Sequence, residues 1–113
     1  MVLRKINKDQ WELINPIMHY AHDGRVFYIP KGFITDLATV PKKLLWLFPK
    51  RGADELAFVV HDYLYTLGGD NKDRLYADEE MYYIQEFYNA SFLRRTIMFF
   101  GVRFFGGAYF NYK

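Results

Sequence analysis

Asp54-Glu-Leu-Ala-Phe-Val-Val-His61-Asp62-Tyr-Leu-Tyr65-Thr-Leu-Gly68-Gly69-Asp-Asn71-Lys-Asp-Arg74-Leu-Tyr-Ala-Asp78 reads as two helices joined by a glycine turn. Leu56, Val59, Val60, Tyr63, Leu64 and Leu67 cover much of the first helix, which is therefore expected to be buried on several sides, with Asp54 as its cap. The second runs from Lys72 to about Asn89 and offers Leu75, Ala77, Met81, Tyr82, Ile84 and Tyr88 for packing. His61 and Tyr65 are four apart and share a face, while Asp62 points about 100° away. An antiparallel pair across Gly68-Gly69 would bring the Asp78 carboxylate to the His61 imidazole, fixing its tautomer and stabilising its charged form.

Toward the N-terminus, Gln10–Ile14 and Arg25–Ile29 are short runs of aromatic and branched residues, with the favoured turn pair Asp23-Gly24 between them. They predict a hairpin or small sheet. Pro30-Lys-Gly32 breaks the second run, Phe33-Ile34-Thr35 resumes it, and the loop Asp36–Pro41 leads into the helical part. Lys42 to Phe48 has the spacing of a short buried helix, with Pro41 in its first turn and Pro49 and Gly52 ending it. Ser91 caps a further helix to about Phe104, Gly106-Gly107 ends it, and the aromatic tail beyond is expected to dock on a neighbouring subunit. The fold class is a single-domain α+β fold, in which a small N-terminal antiparallel sheet or hairpin is followed by three to four helices. The strand-rich part covers about 1–36, the helical part about 41–105 and the tail 106–113.

A chain of 113 residues that is 51% hydrophobic and 20% aromatic has ample material for one core. The absence of cysteine removes disulfides and thiolate metal sites and fits a reducing cytoplasm, although a phage or exported protein could share it. A net charge of +2 without a basic run gives no reason to expect nucleic acid. The N-terminus lacks the apolar stretch of a signal peptide, and Thr96–Val102 falls far short of the ~20 apolar residues of a transmembrane helix.

A neutral His61 near Asp78 and a water could act as a base, and burial beside a carboxylate can tune such a group. The bland alternative is a satisfied core histidine. Asp36 could share a hard-oxygen cation site with Asp62, suited to calcium or magnesium, or simply hydrogen-bond turn amides. Arg74 precedes Asp78 by four, the spacing of a surface ion pair that contributes only ~0.3–0.5 kcal/mol; if buried, it could instead neutralise the acidic cluster. His19 and His22 read as exposed side chains rather than as a metal site with His61. Phe92, Ile97, Phe99, Phe100, Phe104 and Phe105, flanked by arginines, suit a core or subunit contact, or a membrane lipid surface.

Pro30-x-Gly-Phe33-x-Thr-Asp36-Leu-Ala-x-Val-Pro41, His61-Asp-Tyr-Leu-Tyr65 and Ala77-Asp78 resemble an uncharacterised family of small phage and prophage proteins, domain of unknown function 1353, over roughly Phe27 to Phe104. That resemblance implies a phage particle or infected host cytoplasm as location, and no inherited activity. His61-Asp62-x-x-Tyr65 with Asn71-x-x-Arg74-x-x-x-Asp78 is also similar to the paired catalytic helices of phospholipase A2, particularly the bacterial type, over about 20 residues. This second resemblance implies His61 as the base that activates water, Asp78 as its orienter, Tyr65 bonded to Asp78, and Asp62 on calcium. The cysteines and the glycine-rich calcium loop of that family are missing here. Two functions follow as expectations: a hydrolase-like protein with His61, Asp78 and Tyr65 as catalytic residues and a cation on Asp62 and Asp36, or a noncatalytic virion or host-interaction protein in which these residues form a structural polar network.

Overall fold

The computed structural model describes residues 1–36 and 52–113; the helix expected over Lys42 to Phe48 lies outside the described residues. The chain starts with β1 (Leu3–Lys5), β2 (Trp11–Leu13), β3 (Ile17–Tyr20), β4 (Val26–Ile29) and β5 (Ile34–Thr35). Three helices follow: α1 (Gly52–Leu67), α2 (Asn71–Phe87) and α3 (Phe92–Phe105), the last running into a short 3-10 turn at Gly106–Ala108. This is the expected α+β order of small antiparallel sheets and then helices.

The expected hairpin or small sheet is present as two small antiparallel sheets. β2 is the centre of a three-stranded antiparallel sheet in the order β1-β2-β5, with Leu3 opposite Leu13 and Trp11 opposite Thr35. β4 pairs instead with β3, Ile17 opposite Ile29 and Tyr20 opposite Val26, in a separate two-stranded sheet. Gly24, with φ of +92°, makes the turn of that hairpin at the expected Asp23-Gly24. β3 escaped notice because Met18-His-Tyr20 places apolar and polar residues without a clean alternation, and Pro16 before it reads as a break.

Each sheet turns few side chains inward, so the core is built mainly by the helices. Leu13 and Ile29 enter it from the strands. Ala57, Phe58, Val60 and Leu64 of α1 meet Ala77, Met81 and Ile84 of α2, while Met98 and Val102 of α3 close the cluster. The spacing 77, 81, 84 lays these α2 residues along one stripe, as a helix period requires. Leu75 and Tyr88, expected to pack, are exposed. Asp54 does not cap α1, which begins at Gly52; it lies in the first turn and is bonded to α3.

Gly68 (φ +72°) ends α1 in the left-handed conformation, its amide donating to the Leu64 carbonyl at 3.0 Å. Asp70 then caps α2 through a capping box with Asp73. The C-terminal tail closes over this corner: Asn111 N–H donates to the Tyr65 carbonyl, Gly69 N–H to the Asn111 carbonyl, and Phe110 is buried against the Tyr65 ring. A Cβ at position 68 would lie 2.0 Å from the Asn111 carbonyl oxygen. Gly68→Ala therefore adds a steric conflict to an unfavourable φ and is expected to cost more than ~1 kcal/mol. A urea titration that follows tyrosine fluorescence should show a lower midpoint; an unchanged midpoint would mean the tail contributes nothing to the corner.

Candidate active site

The helix pair delivers the residues that the sequence singled out to two adjoining places. In the interior, His61 and Tyr65 project from one face of α1, their ring centroids 4.1 Å apart. Asp78 of α2 meets both: His61 Nε2 donates to Asp78 Oδ1 at 2.6 Å, and the Tyr65 hydroxyl donates to the same oxygen at 2.6 Å. A ring whose Nε2 carries the proton keeps Nδ1 as its acceptor nitrogen when neutral. Burial, and then the bond to Asp78, push the Tyr65 hydroxyl above its ordinary range, so it stays a donor at neutral pH. Both His61 and Asp78 are fully shielded from solvent, with side-chain exposures of 0%.

Two arginines complete this interior cluster. Arg103 of α3 donates from Nη1 to Asp78 Oδ2 at 2.8 Å, so the second carboxylate oxygen is bonded as well. Arg74 does not form the expected surface pair with Asp78. It is buried, donates from Nη2 to the Val102 and Arg103 carbonyls at 2.9 and 2.6 Å, and approaches the Tyr65 hydroxyl through Nε at 3.3 Å. Those carbonyls belong to the last turn of α3, where the Val102 carbonyl also accepts from the Gly106 amide. The sequence reading took Arg103 only as a flank of the aromatic run and gave it no place in the site. The available signal was a cation inside an apolar run, which is costly unless it finds a partner.

Asp62, one residue along α1, faces the other way into a cleft of about 200 Å³. Thr35, Asp36, Asp62, Tyr65, Thr66 and Tyr109 line it, together with Gln10, Phe33 and Ile34. The Thr35 hydroxyl donates to Asp62 Oδ2, and Asp36 stands close enough to share a hydrogen bond with the Asp62 carboxyl. Burial, followed by the charge of Asp36, pushes the Asp62 carboxyl up to about 6. β5 sets this meeting: Thr35 faces inward in register with Trp11, and Asp36 follows it at the mouth. Tyr65 joins the two places, since it lines the cleft while its hydroxyl reaches Asp78. Among the described residues no group of three or more histidines and acids is arranged to hold a metal ion, so Asp36 and Asp62 meet as a pair.

A third cluster was not anticipated. His19 is buried rather than exposed, and Nε2 donates to Glu80 Oε1 at 2.6 Å, while His22 Nδ1 bonds Glu80 Oε2. Burial raises the Glu80 carboxyl, but the bonds from His19 and His22 outweigh it and leave its pKa below the ordinary range. With the Tyr76 hydroxyl donating to Asp23 at 2.8 Å, this cluster fastens the β3–β4 hairpin to α2.

A family model described as protein of unknown function (DUF1353) matches residues 11–102. The chain belongs to this family. The matched span contains His61, Asp62, Tyr65 and Asp78 together with Thr35 and Asp36, and stops one residue before Arg103. No curated protein and no solved structure matches the chain. Among the described residues, no helix is long and apolar enough to cross a membrane.

Proposed function

We propose that this domain is a phage-type, hydrolase-like protein that cleaves an ester with the help of a divalent cation. The observation that carries the reading is the acceptance by one oxygen, Asp78 Oδ1, of both His61 Nε2 and the Tyr65 hydroxyl, directly behind the cleft that holds Asp36 and Asp62. This arrangement fixes His61 with its acceptor nitrogen turned away from Asp78, the requirement for a base that takes a proton from water. Arg103 pairs with the far oxygen of Asp78, so the buried carboxylate charge is compensated while His61 is neutral. Asp62, Asp36 and the Thr35 hydroxyl are hard oxygen donors of the kind calcium or magnesium takes, and these residues would hold the ion. When bound, such a cation supplies polarisation of the ester carbonyl.

The rival reading is a noncatalytic virion or host-interaction protein, and a specific observation favours it. His61 and Asp78 are wholly buried, and both Asp78 oxygens are bonded, as in a network that only fixes a fold. The two readings separate in one pair of measurements. On a short-chain ester with millimolar calcium, the hydrolase reading expects turnover by the wild type and a ~10²–10⁴-fold loss in His61→Ala. Lack of turnover in the wild type with every ester and cation tried would leave the structural reading.

Cation binding has its own test. Thermal unfolding should move upward on adding calcium or magnesium at pH 7.5, and Asp62→Asn should abolish the shift. Because Asp62 takes up its proton near pH 6, the stabilisation should fade as the pH drops through that value, the proton displacing the cation. A wild type indifferent to both ions at millimolar concentration removes the cation from the proposal.

A further inference from the structure

A second cavity, of about 370 Å³, lies between the β3–β4 hairpin and the C-terminal half of α2, within the size range of small-ligand sites. His19, His22 and Glu80 form its polar part, and Tyr20, Tyr83, Phe87 and Tyr88 its aromatic part. The Glu80 carboxylate is 2% exposed, and both its oxygens are held: His19 Nε2 donates to Oε1, while Nδ1 and the backbone N–H of His22 donate to Oε2. The His22 ring also leans on Tyr83 and Tyr76, with centroids 4.4 and 5.4 Å apart. Among the described residues its side chain still keeps 33% of its surface exposed. A neutral imidazole that donates through Nδ1 accepts through Nε2, and the two nitrogens face opposite sides of the ring. Here the carboxylate fixes which is which. Nε2 of His22 is thus an acceptor, oriented by its neighbours and turned away from the buried acid.

We propose that this cavity binds a small organic ammonium ion, whose N–H donates to His22 Nε2 while its charge lies against the aromatic rings. The charges of the site select that class of ligand. Despite its burial, Glu80 is ionised at neutral pH. With neutral histidines as partners its charge is not compensated, and no lysine or arginine is among the described residues that line the cavity. Two cations nearby are already paired: Arg25, stacked on Tyr76, with Asp23, and Arg95 with Glu86. The last turn of α2 holds no basic residue, and its carbonyl end favours positive charge. Tyrosine and phenylalanine faces attract an ammonium and repel an anion. Tyr20, Phe87 and Tyr88 are exposed among the described residues, so the core uses little of these rings. An alcohol could also donate to Nε2 but brings no charge, and a carboxylate would face Glu80. The cavity shares no lining residue with the cleft of Asp36 and Asp62, so the site does not depend on the ester chemistry.

Titration of the full chain with n-butylammonium, n-butanol and butyrate, ligands of similar shape and different charge, tests the assignment. In proton–nitrogen correlation spectra of the imidazoles, butylammonium should move the His22 Nε2 signal and leave His61 still. About millimolar affinity is expected from one charge-assisted hydrogen bond and a few cation–π contacts. Butanol should bind at least ~10-fold more weakly, and butyrate not at all. His22→Phe keeps a ring against Tyr83 and Tyr76 but has no acceptor, and should weaken butylammonium binding ~10-fold or more. Tyr20→Ser serves as a second variant should the hairpin loosen; this exposed residue can change without disturbing the core, and loss of its ring should cost ~3-fold in affinity. Nα-acetyl-lysine methylamide presents the same ammonium on a peptide unit. Binding of either ammonium supports the assignment, and the tighter one names a free amine or a protein side chain as the source. Equal affinity for butylammonium and butanol overturns the proposal, as does a wild type that binds neither ammonium or a His22→Phe chain that binds as the wild type does.

Discussion

Asp78→Ala should be among the most destabilising single changes in the molecule, about 3–5 kcal/mol, because it removes the common acceptor of a buried charged cluster. His61 Nε2 and the Tyr65 hydroxyl would lose their partner at a site closed to water, and Arg103 would be left facing the vacancy. A domain of this size has about 5–15 kcal/mol of stability in all, so the variant should be partly unfolded without denaturant, or nearly so. Asp78→Asn keeps the shape and one acceptor oxygen but presents an amide N–H₂ to donors, and should fall between the variant and the wild type. Urea denaturation at neutral pH gives the comparison, with a lower midpoint at an unchanged slope as the expected signature. A loss below ~1 kcal/mol for Asp78→Ala would mean that the cluster is not sealed.

That expectation concerns the part of the molecule most legible in the sequence. His61, Tyr65 and Asp78 could be placed together because their meeting depends on two local features, the helical period and the Gly68-Gly69 turn, and both are written in adjacent residues. The helix limits near Leu67, Asn71 and Phe105 were legible for the same reason, since glycines, Asp70 and Ser91 mark them locally. Partners that come from far along the chain were not. Arg103 reaches Asp78 from α3, Thr35 reaches Asp62 from β5, and His19 and His22 reach Glu80 from the hairpin. None of these residues carries a local mark of its partner, because a hydrogen bond between distant elements is set by the packing angle of whole layers. Arg74 follows the buried one of its two expected placements. Its spacing from Asp78 was locally suggestive of a surface pair, yet it reaches the Val102 and Arg103 carbonyls at the end of α3. Strand partners were not legible for the same reason: β2 and β4 were both visible as segments, but nothing local to either marks which neighbour it takes.

The same logic applies to the other buried pair, Arg94 with Asp54, which ties the start of α3 to the start of α1. Arg94 donates to Asp54 Oδ2 through Nε at 3.1 Å and Nη2 at 2.5 Å, and Gln85 near the end of α2 donates to Oδ1 at 3.3 Å. All three helices therefore converge on one carboxylate that is 2% exposed. The position of Asp54 in the first turn of α1 adds the favourable field of that helix end, but this is worth at most ~2 kcal/mol and cannot replace the lost cation. Arg94→Met should cost about 3–5 kcal/mol, since it removes the guanidinium paired to a buried carboxylate. Asp54→Leu alone should cost a similar amount, by stranding the guanidinium. The double variant Asp54→Leu/Arg94→Met removes both charges and leaves apolar side chains of comparable length, and it should be much less destabilised than the sum of the singles. Denaturation of the four proteins gives the coupling directly, and a value of at least ~2 kcal/mol is expected. Additive losses would show that the two groups do not depend on each other, and that the junction of the three helices is held by its apolar contacts alone.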